Sequence, residues 1–314
     1  MAQELIMNKW RLPLAALCTT ALLTACGGGG STSIGGGSTT TPPLTPEPGA
    51  PASVNNTATD GFNWFNYRRA QLGLSVLTRN SRIDTAAQGH SDYQRLNSTI
   101  THEQTQGKAG FTGVDVADRL KAAGYTLSGS YAAGEVIAAN TNNSGFYMAE
   151  ELITAIYHRF VIFEPVFKEI GTGAATGNYT YFTADFAVVN GYNGLGAGKI
   201  VTYPINNQVN VQTNFFSDNE SPDPVPNQNE VGYPISVHAD INNPVVVQSF
   251  TVAPRGGTAL TTRLLSQGAG TSTVSSAAAI IPLAPLRSAT TYDVTFSGTV
   301  GGTAVTRSWS FTTK

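Results

Sequence analysis

The chain has 314 residues, with 18 Lys and Arg against 20 Asp and Glu, a formal net charge of −2. There is no basic excess to neutralise phosphates, which makes nucleic acid a poor partner. Hydrophobic residues make up 41%, enough for packed cores over a length that predicts two domains once the ends are set aside. Both cysteines, Cys18 and Cys26, sit near the N-terminus. A disulfide framework and thiolate chemistry are therefore excluded from the part that folds.

Lys9 and Arg11 precede an apolar run from Leu12 to Ala25 that is too short to span a bilayer. The run ends in Leu23-Thr24-Ala25-Cys26, which resembles a bacterial lipobox. The resemblance implies a signal peptide over residues 1–25 and a lipidated Cys26, with the membrane as a partner through that anchor. A sixteen-carbon chain, at about 0.8 kcal/mol per methylene, contributes on the order of 12 kcal/mol to anchoring. Gly27 follows the cysteine where an aspartate would resemble an inner-membrane retention signal. The expected address is the cell envelope, at the outer membrane of a Gram-negative bacterium. Residues 26–59 are rich in Gly, Ser and Thr, then in Pro (Pro42, Pro43, Pro46, Pro48, Pro51). They read as a disordered tether.

Residues 60–190 alternate helical and strand patterns. Asp60 to Gln71 predicts a helix with Gly73 just past its end. Ser81 opens a second, with Asp84 as capping-box partner and Ile83, Ala86, Ala87, His90 and Leu96 on its apolar side. Val116 to Ala123 predicts a third, stopped by Gly124, and Ser144 caps a fourth with Met148, Leu152, Ile153 and Ile156 on one face. Tyr131 to Ala138 reads as a strand; Ile170 to Ala174 and Tyr179 to Val188 read as a hairpin. Helices first and hairpin last predict an α+β layered domain.

Along this region stand Asn66-Tyr67-Arg68-Arg69, Gly73-Leu74, Ala86-Ala87, His90-Ser91, Thr101-His102, Asp118-Arg119, Gly124-Tyr125, Gly134-Glu135, His158-Arg159 and Glu169-Ile170-Gly171-Thr172-Gly173. In that order they resemble the CAP superfamily (cysteine-rich secretory proteins, antigen 5, pathogenesis-related proteins) in its bacterial form. The resemblance implies an α-β-α sandwich with a shallow cavity. By position His102 and His158 match the cavity histidines and Glu135 the cavity acid. In several members such a cavity takes up a divalent metal, so His102, Glu135 and His158 are candidate ligands for zinc or a similar ion. Val136 stands where the family motif has asparagine, and Ala155-Ile156-Tyr157 where it has Ser-Pro.

Other polar residues read more plainly. His90, on an apolar helix side, is expected in a core or at its boundary, and His238 on the surface. His102-Glu103 is not a metalloprotease helix motif, because no histidine occupies position 106. Gly171-x-Gly173 enters a hairpin rather than a helix, so it is no dinucleotide fingerprint. Asp218, Glu220 and Asp223 lie in a proline-interrupted stretch that fits no EF-hand loop, and read as solvated.

Gly191 to Gly198 is a glycine-rich connection. Residues 203–314 then turn all-β: a strand from Tyr203 to Gln212, a loop from Phe215 to Asn229, runs at Val245–Val252, Leu260–Leu265 and Ala278–Leu283, and a closing hairpin around Val300-Gly301-Gly302-Thr303. Leu286-Arg287-Ser288-Ala289-Thr290-Thr291-Tyr292 and the Phe311-Thr312-Thr313 ending resemble bacterial Ig-like domains of surface proteins. The functional reading is a lipid-anchored surface binding module whose cavity holds a small molecule, lipid or divalent metal. A metal-assisted hydrolase of envelope polymers or peptides, with Glu135 as general base, is one alternative. An adhesive or structural protein with a vestigial cavity is the other.

Overall fold

The computed structural model describes residues 47–269 and 271–314. The leader, Cys26 and the stretch up to residue 46 lie outside the described residues. Residues 47–56, expected as tether, pack against the first helix. Glu47 grips the Arg68 guanidinium at 2.6 and 2.8 Å, and Asp60 accepts from Ser53 Oγ at 2.7 Å and from Val54 N at 2.8 Å.

Helix α1 (Thr57–Gln71) is capped by Asn56. Strand β1 (Thr78–Arg79) and helix α2 (Ser81–Asn97) follow. The cap of α2 is Asn80, which accepts from Arg82 N; Asp84 makes no capping box, because Arg79 and the backbone N–H of Thr172 use its carboxylate. Leu96 is exposed, outside the apolar stripe. Next come α3 (Val116–Ala122), β2 (Ala132–Asn140), α4 (Gly145–Thr154) and α5 (Ile156–Ile162). The single apolar pattern of the fourth helix is two helices, broken where Ala155 swings to an extended backbone. Strands β3 (Glu169–Thr176) and β4 (Thr180–Val188) form the expected hairpin.

These strands make one sheet in the order β1-β3-β4-β2. Alternation along β4 sends Phe182 and Phe186 to one face, where Phe65 of α1 lies 6.0 and 5.9 Å away and Phe167 5.6 Å from Phe186. The other face carries Thr183 and Asp185 and is covered by α2. Both faces are thus buried, as in an α-β-α sandwich. Gly171 and Gly173 of β3 explain how closely α2 approaches. A Cβ at either would strike the α2 backbone at Ile83–Asp84 or Ala87–Gln88. The Gly-x-Gly pair is a packing device.

The C-terminal region holds β5 (Val201–Tyr203), β6 (Gln208–Val211), β7 (Asn214–Phe216), β8 (Glu230–Gly232), β9 (Ile235–His238), β10 (Val245–Pro254), β11 (Thr262–Leu265), β12 (Ala277–Pro282), β13 (Thr291–Val300) and β14 (Thr303–Thr313). They form sheets β10-β13-β14-β6, β11-β12-β9-β5 and β7-β8, antiparallel except for the β14–β6 pair. The strand expected over Tyr203–Gln212 is two strands, because Pro204 offers no N–H to a ladder. Tyr292, Val294, Phe296, Trp309 and Phe311 point inward as their alternation predicts.

No gap separates the two regions. One apolar cluster runs from Phe65, Met148 and Phe186 through Tyr203, Ile235 and Val237 to Phe296 and Phe311. Polar bonds stitch the same seam. Arg159, fully buried on α5, donates to Pro234 O at 2.7 Å and lies 5.0 Å from the rings of both Tyr203 and Tyr233. Glu164 accepts from Ile241 N at 3.0 Å and from Ser276 Oγ at 3.1 Å. His238, expected on the surface, is buried in β9 with its ring edge-on to Phe160 and Phe163.

Candidate functional site

On the α2 face of the sheet, β2 and β4 place Glu135 directly across from Asp185. Alternation on β2 decides this. Gly134 faces Val161 and Phe167 on one side, so Glu135 faces α2 and α3 on the other. Both carboxyls are buried. Arg119 of α3, also buried, donates from Nη2 to Glu135 Oε2 at 2.5 Å, and His102 donates from Nδ1 to Glu135 Oε1 at 2.9 Å. Burial pushes the Glu135 carboxyl up. The Arg119 guanidinium, with His90 and His102, together outweighs that push and holds it well below the usual carboxylate range.

His90 completes the floor. Gln104 Nε2 donates to its Nδ1 at 3.0 Å, so the ring proton is on Nε2, which donates to Thr101 O at 2.7 Å. Burial pushes its pKa down. It is a core histidine whose bond fixes the backbone next to His102. Arg119 Nη1 fixes that backbone too, donating to His102 O at 3.0 Å. Asp185 is the unusual member. Neither of its oxygens has a donor. Burial, then the charge of Glu135, raises its pKa well above the ordinary value. It faces the Glu135 carboxylate from the neighbouring strand.

His102 is the exposed end of this network, its side chain 28% accessible. With Nδ1–H given to Glu135, Nε2 is the ring nitrogen left to meet a ligand. Glu135, in turn, is an orienting carboxylate: both its oxygens are engaged, and it is too deep to serve as the general base that the sequence offered.

His158 goes elsewhere. No contact joins it to Glu135 within 4 Å, whereas His90, His102 and Arg119 are all that near. Its Nδ1 lies 3.0 Å from Glu220 Oε1. That carboxylate, expected in a solvated loop, is buried, and it also accepts from Ile156 N at 2.8 Å, Tyr157 N at 2.6 Å and His158 N at 3.2 Å. Among the described residues, no group of three or more His, Cys, Asp and Glu side chains is arranged to hold a metal ion. Glu135 is engaged by Arg119 and His102, and His158 by Glu220 through Nδ1, so the three implied donors do not form one ligand set.

Three functional residues fall outside the set that the sequence singles out. Arg119 is visible there only as part of a motif. Asp185 has a signal: Tyr181, Thr183, Asp185 and Ala187 are the alternate set to Phe182 and Phe186, which puts an acid on the Glu135 face. Glu220 has none, lying 62 residues from His158. Away from this site, an open recess of about 450 Å³ is lined by Asn56, Arg79, Asp84, Gln88 and Thr172 among others. Its charges are already paired, Arg79 to Asp84 at 2.9 Å.

Residues 62–190 match the model of the cysteine-rich secretory protein (CAP) family. This stretch is a CAP domain, and the β-rich region follows it. Similar solved structures include an extracellular protein with an SCP domain from Bacillus anthracis, at 22% identity and a TM-score of 0.36, covering 43% of this chain and 40% of that one. An outer surface protein from Borrelia burgdorferi is 16% identical with a TM-score of 0.35, covering 41% of this chain and 90% of that one. A venom allergen-like protein from Schistosoma mansoni is 10% identical with a TM-score of 0.31, covering 46% and 97%. The chain thus spans less than half of the Bacillus anthracis protein. No curated protein matches at a significant level.

Proposed function

We propose that the chain is an envelope protein, lipid-anchored through Cys26, whose CAP domain binds a small ligand at His102. The observation that carries the reading is the partly exposed imidazole held on a buried Glu135–Arg119 pair. Such a ring presents a fixed Nε2 lone pair to solvent, an acceptor for a hydroxyl or amine group. A residue whose only role was packing would not need a buried ion pair behind it. Exposed Ile100 and Val114 stand in the same loop segment as His102 and offer apolar surface. That combination suits an amine-bearing lipid headgroup with its adjoining chain. The outer-membrane address rests on the leader and on Gly27. The C-terminal sheets, read as an Ig-like module, serve as a rigid extension of the CAP domain.

Titration of the mature chain with phosphatidylethanolamine vesicles tests the ligand. Saturable binding that disappears in His102→Ala supports the reading; binding unchanged by that substitution, or none, removes it. Palmitate labelling tests the address, and label that survives Cys26→Ser would remove the anchor.

A further inference from the structure

We propose that the recess at the β1 edge of the CAP sheet is a second binding site, built for a neutral sugar ring. The sheet order β1-β3-β4-β2 puts it at the edge opposite Glu135 of β2. It is an open hollow of about 450 Å³ between the first turn of α1 and the first two turns of α2. Small-ligand sites fall at about 300–1,000 Å³. Its wall is fixed by bonds to the sheet. Thr172 of β3 donates from Oγ1 to Ala58 O at 2.8 Å, which holds α1 against the strand. Asp84 accepts the backbone N–H of Thr172 at 2.8 Å. Four residues on, Gln88 meets Ala174 twice, Oε1 accepting its N–H and Nε2 donating to its carbonyl, both at 3.1 Å. Strand β1 has only two residues, so beyond it these side chains stand in for an edge partner of β3. The edge is thereby closed to an incoming strand, which argues against an extended peptide as the occupant.

The charges argue against an ion. Arg79 Nε donates to both oxygens of Asp84, at 2.9 and 3.1 Å, and Nη1 donates to Thr59 Oγ1 at 3.2 Å. The guanidinium lies 5.6 Å from the Phe62 ring, so its plane is held from below as well. Arg79 and Asp84 cancel, and the other lining residues are uncharged. What remains is hydrogen-bonding capacity. Among the described residues, Arg79 Nη2 and Asn56 Nδ2 have no acceptor, and each carries two N–H groups. Asp84 Oδ2 and Thr85 Oγ1, which donates to Ser81 O at 2.9 Å, keep lone pairs. Donors beside acceptors match the adjacent hydroxyls of a pyranose, each of which gives one hydrogen bond and accepts others. Ala58 and the stem of Arg79 offer apolar surface to the C–H face of such a ring. A neutral polyol can use all of these groups, whereas an anion would have to draw Arg79 away from Asp84.

The experiment is saturation-transfer nuclear magnetic resonance on the mature chain. The probes are maltose, cellobiose, lactose and N,N′-diacetylchitobiose at about 10 mM each, with glucuronate as a charged counterpart. At least one neutral sugar should bind, with a dissociation constant of about 1 mM, as suits an open site. Arg79→Lys keeps the charge beside Asp84 and loses the planar fork, so it should weaken that binding about tenfold or more. Thr85→Val removes an exposed hydroxyl at the same shape and should weaken it as well. No binding of any neutral sugar, or binding unchanged in either variant, overturns the proposal. Glucuronate held more tightly than the neutral sugars would overturn it too, by assigning the recess to an anion. The probes contain no lipid, so failure here and failure of the vesicle titration at His102 are separable.

Discussion

Replacing Glu220 by alanine should loosen the whole molecule rather than one loop. The substitution strips acceptors from Ile156 N and Tyr157 N, both buried, and from His158 N, which is half-buried. A buried donor left without a partner costs about 1–3 kcal/mol, so two full losses and one partial loss come to about 4 kcal/mol. At about 2–4 °C of melting temperature per kcal/mol for a protein of this size, the midpoint should fall by about 10 °C. Glu220→Gln keeps an oxygen for three of the four bonds and turns an amide toward Ile156 N. It should cost about 1–2 kcal/mol, the loss of one hydrogen bond and one charge. Urea unfolding followed by both tryptophan fluorescence and far-ultraviolet circular dichroism measures both losses. The continuous core predicts that both probes report one transition in the parent and in Glu220→Gln. A parent that unfolds in two separate steps, with Glu220→Ala within about 1 kcal/mol of it, would refute the seam as the join between the regions.

Burial pushes Glu164 up to about 8, against the bonds from Val166, Ser276 and Ile241 that pull it down. A raised pKa means full stabilisation below the ordinary 4.5 and progressive loss as pH climbs through 8. At about 1.4 kcal/mol per unit, the parent should lose about 4–5 kcal/mol across that window. Glu164→Gln should flatten the slope; an unchanged slope in urea midpoints from pH 5 to 9 would contradict the assignment. Asp185→Asn replaces a buried carboxyl that accepts no hydrogen bond and should shift stability at pH 7 by less than about 1 kcal/mol. Glu135→Gln leaves the buried Arg119 charge uncompensated and should cost about 3–5 kcal/mol. Equal effects of the two in thermal melts would overturn Glu135 rather than Asp185 as the partner of Arg119. Gly173→Ala forces a methyl into the α2 backbone and should destabilise by about 3 kcal/mol or more, as overpacking does; a melt unchanged from the parent would show that α2 can move away.

The sequence made the first region legible because its periodicities were local. Phe182, Ala184, Phe186 and Val188 alternate, and the α1 pattern runs to Gln71 with Gly73 behind it at φ +74°. The same alternation carried Tyr292 to Phe296 in the second region. What escaped it was set at long range. His238 is apolar in surroundings only because Phe160 and Phe163 come from another region. A loop rich in Asp, Glu and Pro looked solvated, yet one of its acids caps a helix over sixty residues away. The site was half legible for the same reason. His102 and Glu135 came together where the family order placed them. His158 did not join them, because its partner lies outside the stretch that carries the resemblance.

The central claim is that His102 and His158 belong to different networks, one on Glu135 and Arg119, the other on Glu220. The chain has 4 histidines, so their ring nitrogens can be resolved individually in two-dimensional nitrogen–proton spectra. Recorded on the parent, Glu135→Gln and Glu220→Gln, the spectra should show His102 responding to the first substitution alone and His158 to the second alone. Both rings moving together with either substitution would contradict the account.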